Sequence, residues 1–322
     1  MKIKLLFALM IVAVLVSCNK KREFPDYDYQ TVYFAYQYPV RTITLGEDIY
    51  STELDNQYKC KIMATMGGVY ENKKNITIDF VVDNSLCNGL LFTAGGAPVT
   101  AMPTDFYSLA SNKITIPSGS LAGGVEVQLT DAFFADPKAI SNNYVIPLRM
   151  TAVSNADSIL SGKNFILYAI KFVNPWHGNY LRRGKDEIVG KPGYTALSKT
   201  NIRHQQYVEK DEVNKLSTLT LTDLKFPLFF KDVTSTNVDC SLRLKFDNSG
   251  NCTVTSGASN VTATGTGKFV KKGEKNSWGN TDRDAIYLNY EIDFAQAHIT
   301  CVDTLVLRDR AVTMEVFAPV KQ

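Results

Sequence analysis

From Thr31 onward, apolar residues recur at every second position. Val32, Phe34, Tyr36 and Tyr38 do so, as do Cys60, Ile62, Ala64 and Met66, and then Ile76, Ile78, Phe80 and Val82. A strand turns successive side chains to opposite faces, whereas a surface helix repeats its apolar positions every 3.6 residues. The runs are short, and Gly, Pro, Asn and Asp punctuate them, as at Gly67-Gly68 and Asp83-Asn84. The pattern therefore predicts an all-β chain. Its 322 residues suggest about two domains of ordinary size. A composition 45% hydrophobic and 11% aromatic is enough to fill their cores.

Residues 30–173 carry several such runs, including Ile114/Ile116, Val125/Val127/Leu129, Tyr144/Ile146/Leu148/Met150 and a strand from Phe165 to Phe172. Short alternating strands at this spacing predict an antiparallel sandwich, with Pro147 placing its strand at an edge or bulge. Asn174-Pro175-Trp176-His177-Gly178 marks the boundary and reads as a hinge. In 174–322 the strands are longer and follow one another through hairpins. Val261, Ala263, Gly265, Gly267 and Phe269 form one strand, with small residues where neighbours approach closely. In another, Ile286, Leu288, Tyr290, Ile292 and Phe294 oppose a face of Tyr287, Asn289, Glu291 and Asp293. About eight or nine consecutive strands favour an up-and-down barrel.

The first residues differ. Lys2 and Lys4 precede an apolar run from Leu5 to Val16, too short for the roughly 20 residues of a membrane-spanning helix. Leu15-Val16-Ser17-Cys18 follows, and the segment resembles a bacterial lipoprotein signal. That resemblance implies cleavage after residue 17, lipid on the Cys18 sulfur, and a tether over 18–29. Removing Lys2 and Lys4 from the 35 basic residues leaves 33 against 32 acidic ones. A near-neutral chain whose basic cluster is confined to Lys20-Lys21-Arg22 has no electrostatic reason to seek nucleic acid.

With Cys18 set aside, Cys60, Cys87, Cys240, Cys252 and Cys301 remain, an odd number. The turn at Asp247-Asn248-Ser249-Gly250 would set Cys240 opposite a residue near 257 rather than Cys252. Free, buried thiols are expected, with Cys60–Cys87 the one pair worth testing.

Met102-Pro103-Thr104-Asp105-Phe106-Tyr107-Ser108-Leu109 and Ile114-Thr115-Ile116-Pro117-Ser118-Gly119-Ser120 occur in order. Val125-Glu126-Val127-Gln128-Leu129 and Asn143-Tyr144-Val145-Ile146-Pro147-Leu148-Arg149-Met150 complete the series. It resembles the immunoglobulin-like domain of unknown function that opens many Bacteroidetes surface lipoproteins of the polysaccharide-utilisation type. The Tyr180 segment, the Gly265–Gly267 strand and Val306-Leu307-Arg308-Asp309-Arg310 resemble the lipocalin-like barrel that follows it in some of them. The resemblance implies an outer-membrane, lipid-anchored protein at the cell surface. It further implies polysaccharide or glycoprotein glycan as partner, with outer-membrane glycan-uptake proteins nearby.

Chemistry-bearing motifs are sparse. His177, His204 and His298 have no second histidine at ligand spacing and read as surface or capping residues. Neither a metal site nor a cofactor is expected. Glu291 and Asp293 share a strand face about 7 Å apart, the best pair for a glycosidase. The catalytic module of the family's hydrolases would not fit in this length, so a non-catalytic binding role is the leading expectation. A sugar site wants an aromatic platform beside polar side chains. Trp278, with Asn280, Asp282 and Arg283 in one polar loop, supplies that company. Trp176, Tyr180 and Tyr194 form a second aromatic group near the boundary. The alternative is a small hydrophobic ligand carried inside the barrel. Asp157-Ser158-Ile159 and Asp303-Thr304-Leu305 resemble the Bacteroidetes O-glycosylation motif.

Overall fold

The computed structural model describes residues 26–322, so Cys18 and the leader lie outside the described residues. The chain is all-β, a sandwich followed by a closed barrel. One sandwich sheet runs in the order Ser158–Ile159, Thr31–Tyr33, Lys59–Gly67, Ala122–Leu129, Tyr107–Leu109. The other runs Glu315–Val316, Pro39–Thr44, Phe165–Val173, Tyr144–Ser154, Ile76–Val82, Lys113–Ile116, with Thr100–Ala101 also on Tyr144–Ser154. Alternate residues of the facing strands, among them Ile62, Val127, Ile78, Ile146 and Phe172, fill the space between them. The sandwich is not wholly antiparallel, because Pro39–Thr44 runs parallel to Phe165–Val173. The long chain between these two strands supplies the crossover that a parallel pair needs.

Pro147 lies in an interior strand rather than at an edge, between Phe165–Val173 and Ile76–Val82, and that strand does bulge against Ile76–Val82, at Met150–Ala152. Its carbonyl accepts from Asp83 N at 2.9 Å, so its nitrogen points toward the same place, just past Val82, where the neighbouring strand has ended. The missing N–H thus falls where the ladder needs no donor. Tyr144 to Leu148 are buried on both faces. Val145 and Leu167 pack under Phe92, Val99 and Phe317 on the outer side of the sheet, which is why this run loses its alternation.

The barrel strands are Gly178–Gly190, Glu212–Thr218, Asp223–Phe226, Leu242–Phe246, Asn251–Ser256, Thr262–Glu274, Arg283–Asp293 and Ala297–Asp309. Each pairs antiparallel with the next, and the last pairs with the first along nearly its whole length. Eight strands leave an interior just wide enough for side chains. Tyr180, Leu216, Phe226, Leu244, Leu288 and Leu305 pack there. A Cβ on Gly265 would stand 2.4 Å from the Asn289 carbonyl and 2.5 Å from Tyr290 Cβ, so only glycine lets these strands close. All five cysteines among the described residues are free and buried. Cys60 and Cys87 sit in different clusters, and Cys252 faces Phe246, so no pair forms.

The boundary is a bolted joint, not a hinge. Asn174 is fully buried, and its amide donates to the Thr220 and Asp223 carbonyls at 2.9 and 3.1 Å. Arg310, at the end of the last barrel strand, donates to the carbonyls of His177, Glu47, Leu45 and Asn174 at 2.6–2.9 Å. His177 is neither a surface nor a capping residue. It is buried, with Nδ1 accepting from Thr218 N at 3.1 Å. Burial and the nearby Lys215, Arg310 and Lys171 charges lower its pKa to about 4. Beyond Arg310 the chain leaves the barrel and returns to the sandwich. Glu315–Val316 pairs with Pro39–Thr44, Val320–Lys321 pairs with Leu90–Leu91, and the Phe317 ring packs on Tyr38 and Phe92.

Candidate functional site

The barrel wall has a gap, and its cause is local. Asp223–Phe226 stops at Pro227, which has no N–H to continue the ladder. The hairpin of Phe229–Lys231 and Asn237–Asp239 peels away as a separate two-stranded sheet. On the other side, Gly178–Gly190 changes partner in mid-strand. Its first half pairs with Glu212–Thr218 and its second half with Lys199–Arg203. Gly184, at φ +155, stands at the switch, where a Cβ would meet the Val302 carbonyl at 2.0 Å. Between Lys199–Arg203 and the detached hairpin lies a cleft of about 800 Å³.

Its floor is charged. Arg182 and Asp186 occupy inward positions on the first barrel strand and Asp303 on the last, and all three are buried. Arg182 Nε meets Asp303 Oδ2 at 3.0 Å, and its NH2 meets Tyr290 Oη at 3.2 Å. Tyr290 donates to the same carboxylate oxygen at 2.6 Å. Arg203 reaches in from the edge strand to bond both Asp186 and Asp303. Burial, with the Asp303 carboxylate beside it, pushes the Tyr290 phenol well up and keeps it protonated as a donor. For Arg182 the cost of burial is outweighed by Tyr290, Asp303 and Asp186, which hold it charged.

Three polar atoms of the lining have no hydrogen-bond partner: Asp186 Oδ1, Arg203 Nε and Asn214 Oδ1. Pro227, Leu228 and Phe230 form an apolar wall, and Phe229 stands 59% exposed at the rim.

The residues expected from sequence lie elsewhere. Trp278 has the Arg283 guanidinium 3.5 Å over its ring, and its indole N–H is taken by the Leu307 carbonyl. Asp282 is paired with Lys275 at 2.9 Å, and Asn280 sits at φ 53 in the turn. Asp282 and Arg283 border a shallower groove of about 260 Å³ beside Glu47 and Asp48 of the sandwich. Trp176 stacks on Phe246 at 4.3 Å and 13°, closing the barrel end. Tyr180 is fully buried and donates to the Trp176 carbonyl at 2.8 Å. Tyr194 follows the far end of the same strand, whose 13 residues span about 40 Å. Trp176, Tyr180 and Tyr194 therefore do not form one aromatic group.

Glu291 and Asp293 point out from the barrel wall. Lys191 holds Asp293 at 2.7 Å, and His298 lies beside both carboxylates. Of the two glycosylation-like motifs, Asp303-Thr304-Leu305 lies in a barrel strand with Asp303 buried, which denies it to a modifying enzyme.

Fold and cleft together define an all-β protein, in which a sandwich is joined by buried hydrogen bonds to a closed eight-stranded barrel with a cleft beside its first strand. A protein of unknown function from Bacteroides ovatus has a similar structure, with a TM-score of 0.86 and 47% identity over 92% of this chain and 100% of that one. The chain belongs to the family of that protein. Residues 175–311 match a domain of unknown function, DUF5627, and residues 27–157 match a model described as an N-terminal domain. An auxiliary nutrient binding protein from Bacteroides thetaiotaomicron is similar more loosely, with a TM-score of 0.39 and 12% identity over 83% of this chain and 90% of that one. A two-domain protein of unknown function from Bacteroides fragilis gives 0.33 and 15% over 91% and 92%. Superpositions this loose carry no functional argument. No curated protein matches the chain.

Proposed function

We propose that the protein is a non-catalytic, lipid-anchored surface protein of a Bacteroidetes outer membrane. In this reading it captures glycan at the barrel cleft and passes it toward outer-membrane uptake proteins. The observation that carries this is the cleft itself, about 800 Å³ and lined by Asn201, Asn214 and Arg203 together with Leu228 and Phe229. Sugar hydroxyls both donate and accept, and a sugar's C–H face suits an aromatic such as Phe229 at the rim. The volume lies in the range of small-ligand sites. Lipid anchoring is supported by the leader ending at Cys18.

The apolar-carrier reading is weaker, because the barrel interior is packed by its own side chains and the accessible space has a charged floor. The glycosidase reading is weaker as well, since Glu291 and Asp293 lie outside the lining of this cleft and Lys191 pairs with Asp293.

The test is retardation of the chain from residue 19 in native gels containing different polysaccharides, with Phe229→Ala, Asn214→Ala and Trp278→Ala alongside. Retardation lost in the first two and kept in the third supports the cleft. Retardation kept in both cleft variants would put the site elsewhere, and none on any polymer would refute glycan capture.

A further inference from the structure

Resting on the lipid anchor of that reading, we propose that the end of the sandwich carrying Tyr27, Tyr29 and Tyr70 docks on the lipid surface that holds Cys18. The three side chains are 75%, 58% and 69% exposed, and one turn collects them. The Asp26 carboxylate accepts from Tyr70 N at 2.9 Å, which brings the backbones of Tyr27 and Tyr70 together. A Cβ on Gly68 would stand 2.1 Å from the Tyr29 carbonyl, so only glycine lets this turn lie so close to the entering chain. Leu121, also exposed, adjoins the turn, and its carbonyl accepts from Met66 N at 3.0 Å.

Position names the occupant. Cys18 and Asp26 are eight residues apart, about 28 Å at full stretch. The tyrosines begin at the next residue, so the anchor confines this end of the sandwich to the neighbourhood of lipid. The barrel is fastened at the opposite end. Lys59–Gly67 follows the short helix Glu53–Asn56, whose Asp55 and Asn56 side chains accept from Thr44 N and Gly46 N at 2.8 Å. Arg310 bonds the Leu45 and Glu47 carbonyls at that same end. The nine residues of the strand put Gly67 about 26 Å from Lys59.

Tyrosine suits a boundary between lipid and water, because its ring is apolar while its hydroxyl stays wet among headgroups. Charge does not supply the attraction. Lys73 and Lys74 of this face stand against Asp26, Asp28, Glu71 and Asp157. The rings must therefore do so, and neutral lipid suffices.

The experiment supplies the anchor chemically. In the chain from residue 18, Cys18 is coupled to a maleimide lipid in vesicles of phosphatidylcholine and phosphatidylethanolamine, the five other thiols being buried. The result does not depend on whether a cell modifies that cysteine, so failure of docking is separate from failure of the anchor. Tyr70→Trp places an indole on the face. Tyr50→Trp places one at the joint, where Tyr50 is 76% exposed beside Arg310 and Ala311. Emission is read against the wild type, which carries Trp176 and Trp278. Docking predicts that brominated acyl chains quench the added emission of Tyr70→Trp, with a shift to the blue, and leave that of Tyr50→Trp unchanged. Adding Tyr27→Ser and Tyr29→Ser should abolish both the quenching and the shift. Quenching kept in that variant would mean that the tether alone brings the face to lipid, and equal quenching at both positions would mean that the protein lies on its side. Either result would overturn the proposal. So would an unquenched Tyr70→Trp protein, and dimers in sedimentation that the two serine substitutions abolish would then give the face to a second copy of the chain.

Discussion

Arg310 NH2 donates to the carbonyl of Asn174 at 2.7 Å, tying the end of the last barrel strand to the residue at which the chain leaves the sandwich. The same guanidinium holds the carbonyls of Leu45, Glu47 and His177, so one buried side chain gathers three separate segments. Arginine suits this place because its planar fork presents several donors at fixed angles and keeps its charge when buried. These bonds fasten the barrel's last strand to the sandwich.

Arg310→Ala should therefore cost on the order of 3 kcal/mol, because buried carbonyls lose a charged donor. Differential scanning calorimetry should show a lower Tm and the single transition splitting into two. An unsplit transition at the wild-type temperature would show that the joint does not depend on Arg310.

His177 gives the joint a pH dependence. Its pKa is lowered from 6.5 to about 4 by burial and by the Lys215, Arg310 and Lys171 charges. The unfolded chain binds this proton more readily than the folded one, so the contribution is whole above pH 6.5 and is lost as pH falls from there toward 4. It amounts to about 3 kcal/mol. Urea unfolding at pH 7 and pH 4.5 should show the loss in the wild type and a smaller one in His177→Gln, which keeps an acceptor for Thr218 N. The same loss in both proteins would assign the acid limb to other groups.

Gly265→Ala should destabilise the barrel by about 2 kcal/mol or more, since its Cβ overlaps the Asn289 carbonyl and Tyr290. Thr264→Ala, on the exposed face of the same strand, should leave thermal unfolding nearly unchanged. A stable Gly265→Ala protein would mean that the strands can separate without penalty.

The five thiols should resist a water-soluble disulfide reagent until the protein unfolds. Burial pushes Cys60 and Cys252 up to about 12, and Cys87 and Cys240 up to about 11, suppressing the reactive thiolate. Dithiothreitol should leave the Tm unmoved. A fall in Tm on reduction would reveal a disulfide.

Cys18→Ala should release the protein from the membrane fraction and abolish incorporation of radiolabelled palmitate in cells. Palmitate still incorporated by that variant would rule out the anchor at this residue.

Alternation made much of this legible from the residues alone. Period two reports which face of a strand is wet, and it separated Ile286, Leu288, Tyr290 and Ile292, now inside the barrel, from Asn289, Glu291 and Asp293 outside. It also implied free thiols, since Cys240 falls in step with Leu242 and Leu244 and not opposite Cys252. The pattern failed where burial is two-sided, as at Pro147, because a strand covered on both faces has no alternation to read.

The candidate cleft was hidden for a different reason. Exposed-looking aromatics drew attention to Trp278 and Trp176, but whether a ring is free depends on what packs over it: Arg283 folds back over Trp278 from the same loop, and Phe246 meets Trp176 from a distant strand. A usable signal was present in Arg182, Gly184 and Asp186, which interrupt the inward positions between Tyr180 and Ile188. Charges there announce a polar interior, though not its partners, since Asp303 lies more than a hundred residues away. Local chemistry along the chain thus determined strand content and the inward faces. Only closure of the barrel, which brings the first strand against the last, decided where charge is buried and where the wall stays open.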